Sequence, residues 1–337
     1  EAVANHLMDV LVDHGDEACT KWSTARPTVS EPDCSEIALV ETTHRNITIR
    51  RSTWILFREA LRSIVMTPSD GPFRLKSTVF VGLVTALCFT GLGNAQRFAP
   101  TIRSLIFLVC TYLFVSAIKQ TATIMVKEKA WLMHEYHNNR FPFLAFYVAK
   151  VAAFFIAQAV YTVVYVSIVY WITELHRNQL DVSRFVLAML LHGWCSGVVG
   201  LLLGIVANTI DRINVFFAPS LIPSFLFSGF LFPRSQCPIY FRPIWHAVPF
   251  RYALEAGVYT QFNHGDFKFC GLNKLSRNLC FLGEGTVERR DYLEAIEIKT
   301  GFFRGYLLSV AVLALFTVVL IFVNFIAMRR RLYNFVF

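Results

Sequence analysis

The chain has 337 residues, of which 55% are hydrophobic, 15% aromatic and only 16% charged, with a mean hydropathy of +0.48 and a formal net charge of +9. A soluble domain usually carries about 25% charged residues, so a water-soluble globule of this composition would expose apolar surface it could not cover. The basic balance does not point to nucleic acid either, because the Lys and Arg residues flank apolar runs instead of clustering on a polar domain, as membrane-topology signals do.

The chain opens on Glu1 with neither an initiator Met nor a signal peptide, which reads as a cut from a longer protein or as processing. Residues 1–46 are polar and irregular, and Pro27 and Pro32 suggest a short helix over 4–12 followed by a linker. Residues 47–66 change character. Trp54, Ile55, Phe57, Leu61, Ile64 and Val65 favour one helical face and Arg51, Arg58, Glu59 and Arg62 fill the rest, as in an amphipathic interfacial helix that precedes a membrane span.

Six apolar segments follow, at about 75–93, 102–126, 143–172, 185–207, 213–232 and 302–328. Crossing the hydrocarbon core takes about 20 residues of helix, so the expected fold is an all-α membrane protein with six transmembrane helices. Pro219 and Pro223 interrupt the fifth segment and predict a kink, either beside a pathway or within simple packing. Lys119 and Gln120 interrupt the second, where the lysine either marks a functional site or snorkels at the membrane mouth. Gly193 and Gly197, then Gly200 and Gly204, repeat at a spacing that lets helices approach closely.

Basic residues set the orientation. Arg50, Arg51, Arg58, Arg62, Arg74, Lys76, Lys127, Lys129, Arg140, Arg212 and Arg329–Arg331 fall on one side, against Arg97, Arg103, Arg177 and Arg184 in the short connections of the other. Both termini are therefore expected in the cytoplasm and the long connection 233–301 outside. Within it, 238–262 is too polar for a span and too aromatic for a free loop, which suggests short helices at or dipping into the outer interface. Cys270 and Cys280 lie on that oxidising side and could pair, leaving Cys237 over. Cys88, Cys110 and Cys195 sit in apolar runs and read as small buried hydrophobes.

Enzymatic motifs fail. His134-Glu135-Tyr136-His137 brings its second His one residue too early for a zinc helix, so neither a metal site nor a catalytic set is expected. There is no Gly-x-Ser-x-Gly elbow and no Gly-x4-Gly-Lys-Ser/Thr phosphate loop, and the chain alone is not expected to hydrolyse ATP. The charged stretch 125–140 between the second and third spans reads either as a docking surface for a partner domain or as a solvated loop.

The residues resemble the G subfamily of ABC transporters, the White or pigment-precursor type. The resemblance rests on Asn5 to Val10, on Glu128-Lys129 with His134-Glu135-Tyr136, and on Phe227-Ser228-Gly229-Phe230-Leu231. It continues through Pro249-Phe250-Arg251-Tyr252 with Glu255-Ala256, and through Phe269 to Asn273 with Asp291-Tyr292-Leu293. These motifs cover nearly the whole chain in order. The resemblance implies the membrane domain of a half-transporter, with residues 1–46 as the cytoplasmic linker after an ATP-binding domain and 47–337 as the transmembrane domain. ATP and Mg would be bound in that ATP-binding domain, with no cofactor in this chain. The partners implied are the lipid bilayer, the ATP-binding domain of the same polypeptide and a second half-transporter in a homodimer or heterodimer.

By the same resemblance, Leu113, Phe114 and Ser116 would face a central cavity for lipophilic, sterol, lipid or drug-like cargo. Phe230 and Leu231 would close that cavity on the outer side. Glu128, Lys129, His134, Glu135 and Tyr136 would form a coupling loop, and Cys270 would match a disulfide cysteine. Two other classes stay open: a non-transporting partner or scaffold without an ATP-binding domain, and an ATP-independent channel or carrier.

Overall fold

The computed structural model describes residues 49–66, 71–91, 98–137, 142–175, 178–207, 209–232, 237–263, 289–296, 298 and 303–333. The expected linker over 1–46 and the Cys270–Cys280 pair lie outside the described residues. All regular structure among the described residues is helical. The principal helices are α1 (Ile49–Met66), α2 (Gly71–Cys88), α3 (Ala99–His137), α4 (Phe143–Ile172), α5 (Gln179–Val206) and α6 (Ile210–Leu226). After these come α7 (Arg242–Ala247), α8 (Pro249–Phe262), α9 (Arg289–Ala295) and α10 (Leu308–Tyr333).

Among the described residues, four helical stretches are long and apolar enough to cross a membrane: Ala99–Lys129, Phe143–Ile172, Gln179–Val206 and Gly305–Arg331. They correspond to the second, third, fourth and sixth predicted spans. The first and fifth are occupied by α2 and α6, which are helical but have only 18 and 17 residues. Arg74 and Lys76 occupy the first turns of α2, and Asp211 and Arg212 open α6, so neither is a long uncharged run.

The fifth segment also ends early. Helix α6 stops at Leu226 and the chain turns at Gly229, whose φ of +81° is a left-handed conformation that glycine adopts without Cβ strain. Thr209 caps the start of α6 by accepting from the Arg212 amide at 3.4 Å. The second segment runs long instead. At 39 residues α3 is about 58 Å, nearly twice the roughly 30 Å hydrocarbon core, so its last turns continue as helix through the predicted loop.

Helix α5 is the central strut, and its glycines explain why. A Cβ at Gly200 would lie 2.6 Å from the Ile118 carbonyl oxygen, and one at Gly204 would lie 2.8 Å from that of Ala122, so both glycines let α5 meet the α3 backbone directly. Gly193 and Gly197 instead make room for α4 side chains, since added Cβ atoms there would meet the Gln158 amide and the Phe154 ring. The predicted close approach is thus realised on two sides of one helix. We expect Gly204→Ala to cost about 1–3 kcal/mol, read as a lowered unfolding midpoint of the detergent-solubilised chain.

Cross-helix hydrogen bonds to backbone carbonyls complete the bundle. Asn324 Nδ2 donates to Val198 O at 3.0 Å, Tyr147 Oη to Ile321 O at 2.7 Å, and Trp194 Nε1 to Phe155 O at 2.9 Å. Such bonds hold membrane helices together where no water competes.

The aromatic stretch after α6 forms helices, as expected, but α8 does not lie on a surface. Phe250, Ala253, Leu254, Ala256, Val258, Tyr259 and Phe262 are all buried, packed against α3, α5 and α10.

Candidate functional site

The site is built around the turn that follows α6. Gly229 reverses the chain, and the Phe230 amide donates to Ser228 Oγ at 3.2 Å. This places the Phe230 ring flat on Phe107 of α3, with centroids 4.5 Å apart and planes 13° apart. Arg103, one turn earlier on α3, donates from Nη2 to the Gly229 carbonyl at 2.6 Å. Its guanidinium carbon lies 5.2 Å from the Phe230 centroid and the group also engages Tyr292 of α9. One cation thereby joins α3, the turn and α9. Burial pushes the Tyr292 phenol above its ordinary range, so it stays neutral beside Arg103.

Beneath this turn lies an aromatic cluster. Phe250 meets Phe107, Phe114, Phe225 and the His192 ring at 5.3–5.8 Å, mostly edge to face. His192 Nε2 pairs with the Cys110 carbonyl oxygen at 3.1 Å. Each aromatic pair adds about 0.5–1.5 kcal/mol beyond burial, so the cluster ties α3, α5, α6 and α8 into one block.

Leu108 on α3 is exposed, as are Val215, Phe216 and Ile222 on α6, with Leu231 beyond the turn. Lys119 lies on the same edge of α3, exposed, with its ammonium 5.0 Å from the Phe217 centroid of α6. Lys119 therefore sits at the exposed edge of α3 instead of entering the core.

The predicted pathway residues divide. Leu113 and Phe114 are each 2% exposed and lie inside the chain's own core, turned away from the open edge. Helix α3 is apolar on nearly every side, so hydropathy carries no sign of which side packs. Ser116 is half-buried and lies 3.5 Å from Arg74 Nη2. Phe230 is half-buried in the stack described above and Leu231 is 55% exposed. The structure therefore stacks Phe230 on Phe107, against the same core that holds Leu113 and Phe114, and leaves Leu231 exposed.

A polar network crosses the bundle near Ser116. Arg74 of α2 donates to Gln158 Oε1 at 2.6 Å and stacks 4.0 Å over the Tyr161 ring. Gln158 passes the chain on to Thr162 at 3.4 Å.

At the other end of α3, Glu128 forms an ion pair with Lys150 of α4, which is only 8% exposed. Lys129 donates to the carbonyls of Ile205 and Ala207 at 3.3 and 3.4 Å, and Arg331 of α10 donates to those of Ile205 and Val206. Two cations thus cap the C-terminal end of α5, where unpaired carbonyls and the helix dipole favour positive charge. His134, Glu135 and Tyr136 lie on the last turns of α3, and their side chains are outside the described ones.

Arg103, Lys150 and the Arg74–Gln158 pair escaped the sequence reading. Lys150 could have been found, since an ionisable residue within an apolar run is a functional-site signal by default. Arg103 reads from sequence only as a topology charge. Cys237 is buried and Cys88, Cys110, Cys195 and Cys237 are free thiols, so among the described residues no cysteine is bridged.

Helices long enough to span a bilayer, joined through buried polar bonds and carrying a half-gripped aromatic turn at one end, define a polytopic helical membrane domain. The profile of the family described as ABC-2 type transporter matches residues 51–262, and the chain belongs to that family. It is similar to ABC transporter G family member 8 of Dictyostelium discoideum, 21% identical over 273 residues, which cover 77% of this chain and 42% of that protein. It is also similar to ABC transporter G family member 23 of Arabidopsis thaliana, 26% identical over 194 residues, covering 56% of this chain and 30% of that protein. The chain thus matches less than half the length of these relatives.

Proposed function

We propose that the chain is the membrane half of an ATP-driven half-transporter that moves lipophilic cargo across a bilayer by alternating access as a dimer. In this reading six segments cross the membrane, α2 and α6 among them, both termini are cytoplasmic, and 233–301 is external. The ATP-binding domain of the same polypeptide would hold ATP and Mg.

The observation that carries the reading is the apolar exposure of both α3 (Leu108) and α6 (Val215, Phe216 and Ile222), together with the Phe107–Phe230 stack at the turn after α6. A second half-transporter set against these helices would enclose an apolar, aromatic-walled space, which favours lipophilic cargo by burial. At the opposite end, the rigid continuation of α3 beyond Glu128 offers the ATP-binding domain a lever. A push there would reach α4 through Lys150, α5 and α10 through Lys129 and Arg331, and the outer turn through α3 itself.

Alanine at both Phe230 and Leu231 in the protein joined to its ATP-binding domain tests the constriction. ATP-dependent efflux of a lipophilic dye from proteoliposomes is expected to change several-fold, with ATP turnover shifting relative to transport. Unchanged flux and unchanged turnover would remove these two residues from the gate.

A further inference from the structure

We propose that the outward face of α1 is a binding surface for anionic phospholipid headgroups. Helix α1 packs on α4 through Phe57, Ala60, Leu61 and Ile64. At 100° per residue, Arg51, Arg58 and Arg62 fall on the opposite side, within one arc, bordered by Trp54 and Val65 on one flank and Ile55 on the other. All six are exposed, with Trp54 at 65%. Among the described residues no carboxylate pairs with any of the three arginines.

The chemistry of the surface selects its occupant. Three aligned guanidiniums that no carboxylate among the described residues neutralises call for anions, and guanidinium forks fit phosphate and carboxylate oxygens. The bordering indole and aliphatic side chains call for an apolar layer beside those anions, the arrangement of an interfacial helix. A bilayer leaflet containing phosphatidylserine supplies both at once. An acidic protein surface would satisfy the arginines but leave Trp54, Ile55 and Val65 in water. Helix α1 leads into α2 and lies beside Glu128 and Lys150 in a cavity of about 190 Å³ lined also by Leu56, Glu59 and Ser63. Headgroup binding would therefore fix the helix that borders the buried ion pair.

The inference rests on the chain being embedded in a bilayer and not on the transport reading, so its test uses neither ATP nor cargo. The chain is placed in phosphatidylcholine nanodiscs carrying either tail-labelled dansyl phosphatidylserine or tail-labelled dansyl phosphatidylcholine. Energy transfer from Trp54 is taken as the difference between the native chain and Trp54→Phe. At low salt we expect about tenfold enrichment of the serine lipid around Trp54, since each basic side chain near an anionic surface adds favourably. The preference should collapse at 1 M salt, where screening acts within about 3 Å. It should also vanish in R51Q/R58Q/R62Q and persist in R51K/R58K/R62K. Equal transfer to the two lipids in the native chain at low salt would overturn the proposal, and so would a preference that survives the glutamine substitutions. The salt series on the native chain decides the matter even if a variant fails to fold.

Discussion

Replacing Lys150 by methionine lowers the stability of the embedded chain by about 3 kcal/mol. Lys150 is 8% exposed and pairs with Glu128, whose side chain keeps a quarter of its surface in contact with solvent. Removing one member of a buried pair leaves the other charge uncompensated, which typically costs about 3–5 kcal/mol, and the partial exposure of Glu128 puts this case at the lower end. Glu128→Gln should cost at least as much, because the stranded charge is then the more deeply buried one. The double variant Glu128→Gln with Lys150→Met should be more stable than the sum of the two losses predicts, as neither charge remains. Unfolding midpoints of the four proteins in one detergent give the coupling. Strictly additive losses would mean that the pair contributes nothing jointly. The functional consequence follows from position, since this pair joins the C-terminal part of α3 to α4.

A loss of about 3–5 kcal/mol is likewise expected for Phe250→Ala. Phe250 is fully buried and its ring meets Phe107, Phe114, Phe225 and His192. Four helices lose contacts at once, and the bundle can close the void only by moving helices whose backbones already touch at Gly200 and Gly204. Phe250→Leu should retain about half of the stability, and neither variant should alter insertion into the membrane. A Phe250→Ala chain as heat-stable as the native one would show that the cluster is not the keystone of α3, α5, α6 and α8.

How much of this could be read beforehand depends on the range of the interaction. The third segment was legible to the residue, because 143–172 is a long apolar run carrying a single charge, Lys150, with Pro142 before it and Glu174 after it. The glycine spacing of α5 was legible as close packing, because small residues four apart have one physical use in a membrane helix. The end of the fifth segment was missed because the run stays apolar past Leu226, while the turn is set by Gly229. The facing of Leu113 and Phe114 was not legible at all, since an apolar stripe cannot be seen on a helix that is apolar all round. Arg103 to Gly229 and Arg74 to Gln158 join residues 126 and 84 positions apart, and no local pattern announces such a bond.

The central claim is that this membrane domain is driven by an ATP-binding domain on the same polypeptide. Reading the transcript upstream of the Glu1 codon tests that most directly. The account predicts an in-frame Gly-x4-Gly-Lys-Ser/Thr loop in the coding sequence before Glu1, since that loop is what cradles the phosphates of ATP. A start codon close to Glu1 with no such loop before it would contradict the account and leave a membrane domain acting as a partner to a complete half-transporter.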